Sequence, residues 1–153
     1  MPNPKSTAQI MGHPLHPMLV SFPIAFFIGT FVSDLVYLVN GDPFWARVSF
    51  WLLVAGLVMG ALAALAGFTD FLSDRRIRAT KTSWYHMIGN VTAVVLSLIN
   101  LWLRYRDGDT VDYPTVFWIS LVVVLIFAVT GWLGGELVFK HRVGVSEEYP
   151  TQR

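Results

Sequence analysis

Four apolar runs, at about residues 18–39, 48–68, 84–103 and 115–138, occupy most of the chain. A helix needs roughly 20 residues to cross about 30 Å of hydrocarbon, and each run has that length. Lipid offers no water to the backbone N–H and C=O groups, so segments of this kind become helices that satisfy themselves. Composition agrees, with 54% of the residues hydrophobic and 14% charged, against roughly a quarter charged in an ordinary soluble domain. Soluble bundles carry polar stripes at helical spacing, and these runs largely lack them. Short connections favour antiparallel neighbours. The expected fold is all-α: one domain over 1–153, an integral membrane up-down four-helix bundle.

The boundaries are marked by turn chemistry. Met1 to Gln9 is a short polar leader without the cleavage site of a secretory signal, so the first apolar run is expected to remain as a membrane helix. Next comes Gly12-His13-Pro14-Leu15-His16-Pro17. The two X-Pro steps disfavour the α region at both histidines and predict an extended or turn segment, with Pro17 in the first helical turn. Pro23 is expected to kink the first span, and Gly41-Asp42-Pro43 to turn the chain, with Phe44 and Trp45 as an interfacial belt. The second span carries Gly56, Gly60 and Ala64 at four-residue spacing beside Ala63 and Gly67, which lets helix backbones approach closely. Asp70 to Lys81 and Arg104 to Pro114 read as polar loops. Gly131, Gly134, Gly135 and Glu136 close the fourth span, and the tail after Lys140 is polar.

Alternating helices divide the basic residues unevenly. Lys5, Arg75, Arg76, Arg78, Lys81, Lys140, Arg142 and Arg153 share one face; the other keeps Arg47, Arg104 and Arg106. The excess of positive charge predicts that both termini of this multi-pass protein are cytoplasmic. Its partner is the lipid bilayer. A net charge of +1 points to no nucleic acid.

The same alternation puts all four histidines, His13, His16, His86 and His141, on the basic face, together with Asp70, Asp74 and Glu136. Neutral imidazole ligates zinc, copper and haem iron, and bundle cores are where facing helices hold such groups. No cysteine is present, which excludes thiolate sites and covalent haem attachment. His16 and His86 are therefore expected as the core ligands of a b-type haem or a divalent metal, approaching from diagonal corners of the bundle. His13 and His141 are expected as auxiliary ligands, with Asp70 and Glu136 completing the metal set or accepting a histidine N–H. A bundle of this kind would serve electron transfer, with a redox protein or a second copy as partner. The structural alternative is a non-catalytic anchor or assembly subunit whose small-residue strips bind a partner helix, with Glu136 and Lys140 a surface ion pair. Asp34 and Asn100, inside spans, are expected to pair in the bundle interior with Arg47. No nucleophile–base pair, phosphate loop or HExxH is present, so nothing points to a hydrolase or transferase.

Gly12-His13-Pro14-Leu15-His16-Pro17, Phe22-Pro23-Ile24, Gly41-Asp42-Pro43-Phe44-Trp45, Trp84-Tyr85-His86-Met87 and Gly131-Trp132-Leu133-Gly134-Gly135-Glu136-Leu137-Val138, followed by His141 and Val143-Gly144-Val145, together resemble one family. It is the bacterial membrane-protein family called domain of unknown function 2231. The resemblance implies a four-helix protein of a bacterial inner membrane with no established activity. Similar chains are sometimes joined to Rieske-type iron–sulfur domains, which implies electron transfer. Tyr85 and Arg142 depart from the family's usual residues, and neither change removes a histidine.

Overall fold

The computed structural model describes residues 3–145; Arg153 and the end of the polar tail lie outside the described residues. Four helices are long and apolar enough to cross a membrane, over Leu15–Asn40, Pro43–Ser73, Lys81–Thr110 and Tyr113–Phe139. The elements run β1 (Gln9–Ile10), β2 (His13–Pro14), α1 (Leu15–Leu19), α2 (Ser21–Asn40), α3 (Pro43–Ser73), α4 (Arg75–Arg78), α5 (Lys81–Asp107) and α6 (Tyr113–Phe139). The expected all-α membrane bundle is the observed one.

Each boundary has a local cause. Met11 and Gly12, at φ 51° and 80°, form the two-residue turn of a small antiparallel hairpin that pairs Ile10 with His13. His13 is extended, as its proline predicts. His16 departs from the expectation, because it is helical although Pro17 follows. Pro17 needs no partner there, since the first N–H groups of a helix have none. A side-chain bond from His16 to α3 holds the residue in place. The regular helix breaks at Val20, just before Pro23, which has no N–H to offer the preceding turn. Gly41, left-handed at φ 68°, ends α2, and Asp42 then caps α3 by accepting from the Phe44 amide at 2.9 Å.

Helices run further than the apolar runs. Asp70, read as the start of a loop, lies inside α3, and Arg104, read as the start of another, lies inside α5. Helical pairing carried both residues past the point where hydropathy falls.

The four long helices form a ring in which α2 touches α3 and α6, and α5 touches α3 and α6. The core is largely small or polar: Ser83, Ala93, Ser97, Asn100 and Arg104 are the buried residues of α5. Trp51, Leu65, Trp118, Leu125 and Val129 point outward instead. This inverts a soluble bundle and suits a lipid surround, where small and polar contacts join helices. At mid-height the rings of Phe27 and Phe127 stack 5.2 Å apart.

The two hairpins repeat one another. Phe50-Trp51 and Gly67 on α3 recur as Phe117-Trp118 and Gly134 on α6, and His16 and Asp34 of the first hairpin correspond to His86 and Arg104 of the second. The ring of contacts maps onto itself when the hairpins are exchanged. Each half thus sends one histidine and one charged residue into the shared core.

Candidate functional site

His16 and His86 face each other near the basic end of the bundle, with ring centroids 6.0 Å apart and planes at 87°. The diagonal approach expected from the sequence is observed. Both rings are held in the same way. His16 Nδ1 lies 2.8 Å from the Ala63 carbonyl on α3, and His86 Nδ1 lies 2.8 Å from the Thr130 carbonyl on α6. A carbonyl only accepts, so each Nδ1 donates its N–H, and in the neutral form of the ring the lone pair sits on Nε2. Four residues beyond each carbonyl stands a glycine, on which the ring rests. A Cβ on Gly67 would fall 2.8 Å from His16 Nδ1, and one on Gly134 would fall 3.1 Å from His86 Cε1.

The support extends outward. Asn90 donates to the His86 carbonyl at 2.6 Å, and Thr130 Oγ1 donates to Asn90 Oδ1 at 3.3 Å. Ser83, one turn before His86 on the same face of α5, has a buried hydroxyl without a partner among the described residues. Neither Nε2 is engaged by any hydrogen bond among the described residues.

The remaining sequence candidates do not join this pair. His13 is exposed, with Nδ1 3.1 Å from the Met11 carbonyl, and His141 is exposed beyond α6. Glu136 pairs with Lys140 on the surface, as the structural alternative expected. Asp70 instead anchors the leader, accepting from Ser6 Oγ at 2.8 Å and from the Thr7 and Ala8 amides at 2.7 and 2.9 Å. The histidine N–H groups go to helix carbonyls, not to Asp70 or Glu136. A helix carbonyl that a glycine one turn on leaves open to a side chain carries no side-chain signature, so the sequence pointed to the carboxylates. No group of three or more His, Asp or Glu converges on a common point among the described residues.

The leader forms a strap over this end. The Gly144 amide donates to the Pro4 carbonyl at 2.9 Å, and Asn3 Nδ2 donates to the Val145 carbonyl at 3.1 Å. Asp74, which caps α4, is held below the usual carboxylate range by the hydrogen bond from Arg76.

A second polar cluster fills the opposite end. Asp34, fully buried, accepts from Ser49 Oγ at 2.5 Å, Ser120 Oγ at 2.7 Å and Arg104 Nη2 at 2.6 Å. Arg104 also donates from Nε to Asn100 Oδ1 at 2.7 Å and from Nη1 to Ser49 Oγ at 3.0 Å. Asn100 Nδ2 reaches the Val116 carbonyl at 3.0 Å. Asp34 and Asn100 do share one network, but its cation is Arg104 and not Arg47. The signal for Arg104 was its register: Ser83, His86, Asn90, Ala93, Ser97, Asn100 and Arg104 alternate steps of three and four along one face.

The chain is 26% identical over 102 residues to the high-affinity hexose transporter ght4 of Schizosaccharomyces pombe, and equally to its high-affinity gluconate transporter ght3. Each match covers 66% of this chain and spans only 18% of the transporter. No solved structure matches. The model of the family described as "Predicted membrane protein (DUF2231)" matches residues 12–147, and the chain belongs to that family.

Proposed function

We propose that this chain is a metal-binding protein of the bacterial inner membrane, with His16 and His86 as its ligands and electron transfer as its role. One observation carries the reading: two imidazoles, each with Nδ1 2.8 Å from a helix carbonyl, stand with ring centroids 6.0 Å apart and with no hydrogen bond at either Nε2 among the described residues. Histidine ligands are commonly fixed through the other ring nitrogen in this way. The resemblance to chains joined to iron–sulfur domains supports a redox role, and the charge asymmetry supports a cytoplasmic position for both termini and the pair. His13 and His141 stand at the exposed rim, outside the pair. Haem b is the second candidate for the pair.

The test is optical spectroscopy and elemental analysis of protein purified from membranes. Near-stoichiometric metal, or a Soret band that shifts on reduction, is expected in wild type and in His13→Ala and lost in His86→Ala. Colourless, metal-free protein whose His16→Ala and His86→Ala variants function normally in the cell would refute the reading.

The anchor reading keeps one specific support. Gly131 and Gly135, four apart on α6, have open space where a Cβ would stand, as a helix-docking surface requires. By contrast Gly56 and Gly67 are consumed within the chain, against Phe27 and His16.

A further inference from the structure

Resting on the histidine-pair reading, we infer that the ion held by His16 and His86 is a soft monovalent cation, Cu(I), bound by the two Nε2 atoms alone in a near-linear arrangement.

Spacing comes first. With metal–nitrogen bonds of about 2 Å and about 1.1 Å from nitrogen to ring centre, two imidazoles opposed across one ion have centroids about 6 Å apart; at a tetrahedral angle the figure is about 5 Å. The observed 6.0 Å matches the opposed arrangement. Both rings turn their Nδ1–Cε1 edges against the backbone of a neighbouring helix, α3 for His16 and α6 for His86. The Nε2 lone pair of each ring points well away from its Nδ1–H, and so away from the carbonyl that Nδ1 meets. The near-perpendicular planes, at 87°, let the ring hydrogens avoid one another across the axis.

Charge comes second. The desolvation cost of an ion rises with the square of its charge, so a divalent ion between helices needs anionic ligands. The two carboxylates nearest in sequence to the site are occupied elsewhere, Asp70 by the leader strap and Glu136 by Lys140. Two neutral nitrogens suit a single positive charge. Imidazole is a good copper ligand, and among the described residues no third His, Asp or Glu is placed to raise the coordination number toward the four that zinc prefers.

The hairpin repeat is independent support for one shared ligand. His16 and His86 are equivalent positions of the two halves, each over an equivalent glycine and carbonyl. A linear two-ligand ion on the axis between the halves meets both in the same way.

The experiment uses the full chain in nanodiscs under anaerobic conditions, titrated separately with Cu(I), Ag(I) and Zn(II) against chromophoric competitors. One equivalent of Cu(I) and of Ag(I) is expected, with Zn(II) weaker by about a hundredfold or more, and an X-ray absorption spectrum of two nitrogen neighbours at the copper. His16→Gln and His86→Gln should each lose about a hundredfold in Cu(I) affinity or more. His13→Ala should lose nothing. Thermal unfolding of every variant in the same nanodiscs separates loss of the ligand from loss of the fold. Tight Zn(II) binding with the same histidine dependence, or four neighbours at the copper, would overturn the ion class and leave the pair standing. Absence of any metal binding in folded wild type, or binding unchanged in both glutamine variants, would overturn the pair as well.

Discussion

Asp34 on α2 and Arg104 on α5 meet at 2.6 Å across 70 residues of sequence, both side chains almost wholly withdrawn from the surface. Roughly 27 Å of helix separates Asp34 from His16 on its own strand of the bundle. The ion pair is fully satisfied by Ser49, Ser120 and Asn100, so it pins four helices together at one end.

Removing one member leaves the other as an uncompensated buried charge, which costs about 3–5 kcal/mol. Asp34→Ala and Arg104→Ala are expected to lower unfolding stability in detergent by that order. Replacing both together, as Asp34→Leu with Arg104→Met, should recover most of the loss. A double variant as unstable as the sum of the singles would refute the assignment of the pair.

Close helix approach gives a graded expectation on α3. A Cβ at Gly56 would stand 2.9 Å from the Phe27 ring, whereas one at Gly60 makes ordinary contacts, with Pro23 Cβ at 3.8 Å and Phe27 Cε2 at 4.0 Å. Gly56→Ala should therefore destabilise by about 1–3 kcal/mol and Gly60→Ala hardly at all, while the branched Gly60→Leu should behave like the former. Thermal shift in detergent ranks the three; a neutral Gly60→Leu would mean that this position opens to lipid.

Gly67 and Gly134 act on the histidines. Alanine at either crowds a ring against its carbonyl, more at Gly67, where the added Cβ lies 2.8 Å from His16 Nδ1, than at Gly134, where it lies 3.1 Å from His86 Cε1. Metal affinity should fall about 10–100-fold in each, with the fold retained. Equal affinity in Gly67→Ala and wild type would separate the ring's support from its ligand role.

The leader strap yields an exchange measurement. The Thr7 and Ala8 amides both donate to Asp70 Oδ1. Asp70→Ala should raise hydrogen exchange at these two amides by an order of magnitude or more, with little change in α5. Slow exchange at Thr7 in that variant would show that other contacts hold the strap.

Topology is testable by reporter fusions. A fusion after Arg106 should read the outer side and one after Arg153 the cytoplasm, because the basic residues gather at the ends and between spans two and three. Matching signals from both would overturn the proposed orientation.

The sequence carried the helices and their turns because membrane length and Gly-Asp-Pro chemistry are local properties. It carried the diagonal meeting of His16 and His86 because short loops constrain the order of helices around a bundle. It did not carry the end of α5. Hydropathy drops at Arg104, yet the arginine turns inward because Asp34 awaits it from another helix, and such a match is visible only in three dimensions. The fate of Asp70 was hidden for the same reason: its partners are the Ser6 hydroxyl and the Thr7 and Ala8 amides of a leader that the sequence marks only as polar.

The strap has one more consequence. Pro4 and Gly144 are joined by a 2.9 Å hydrogen bond, so the described chain closes nearly into a circle, with two equivalent hairpins as its halves. A gene reordered to begin in the loop before α6 or in the segment before α5, with a short bridge joining the native ends, would build the same bundle. The order in which the hairpins are synthesised is thus separable from the order in which they pack.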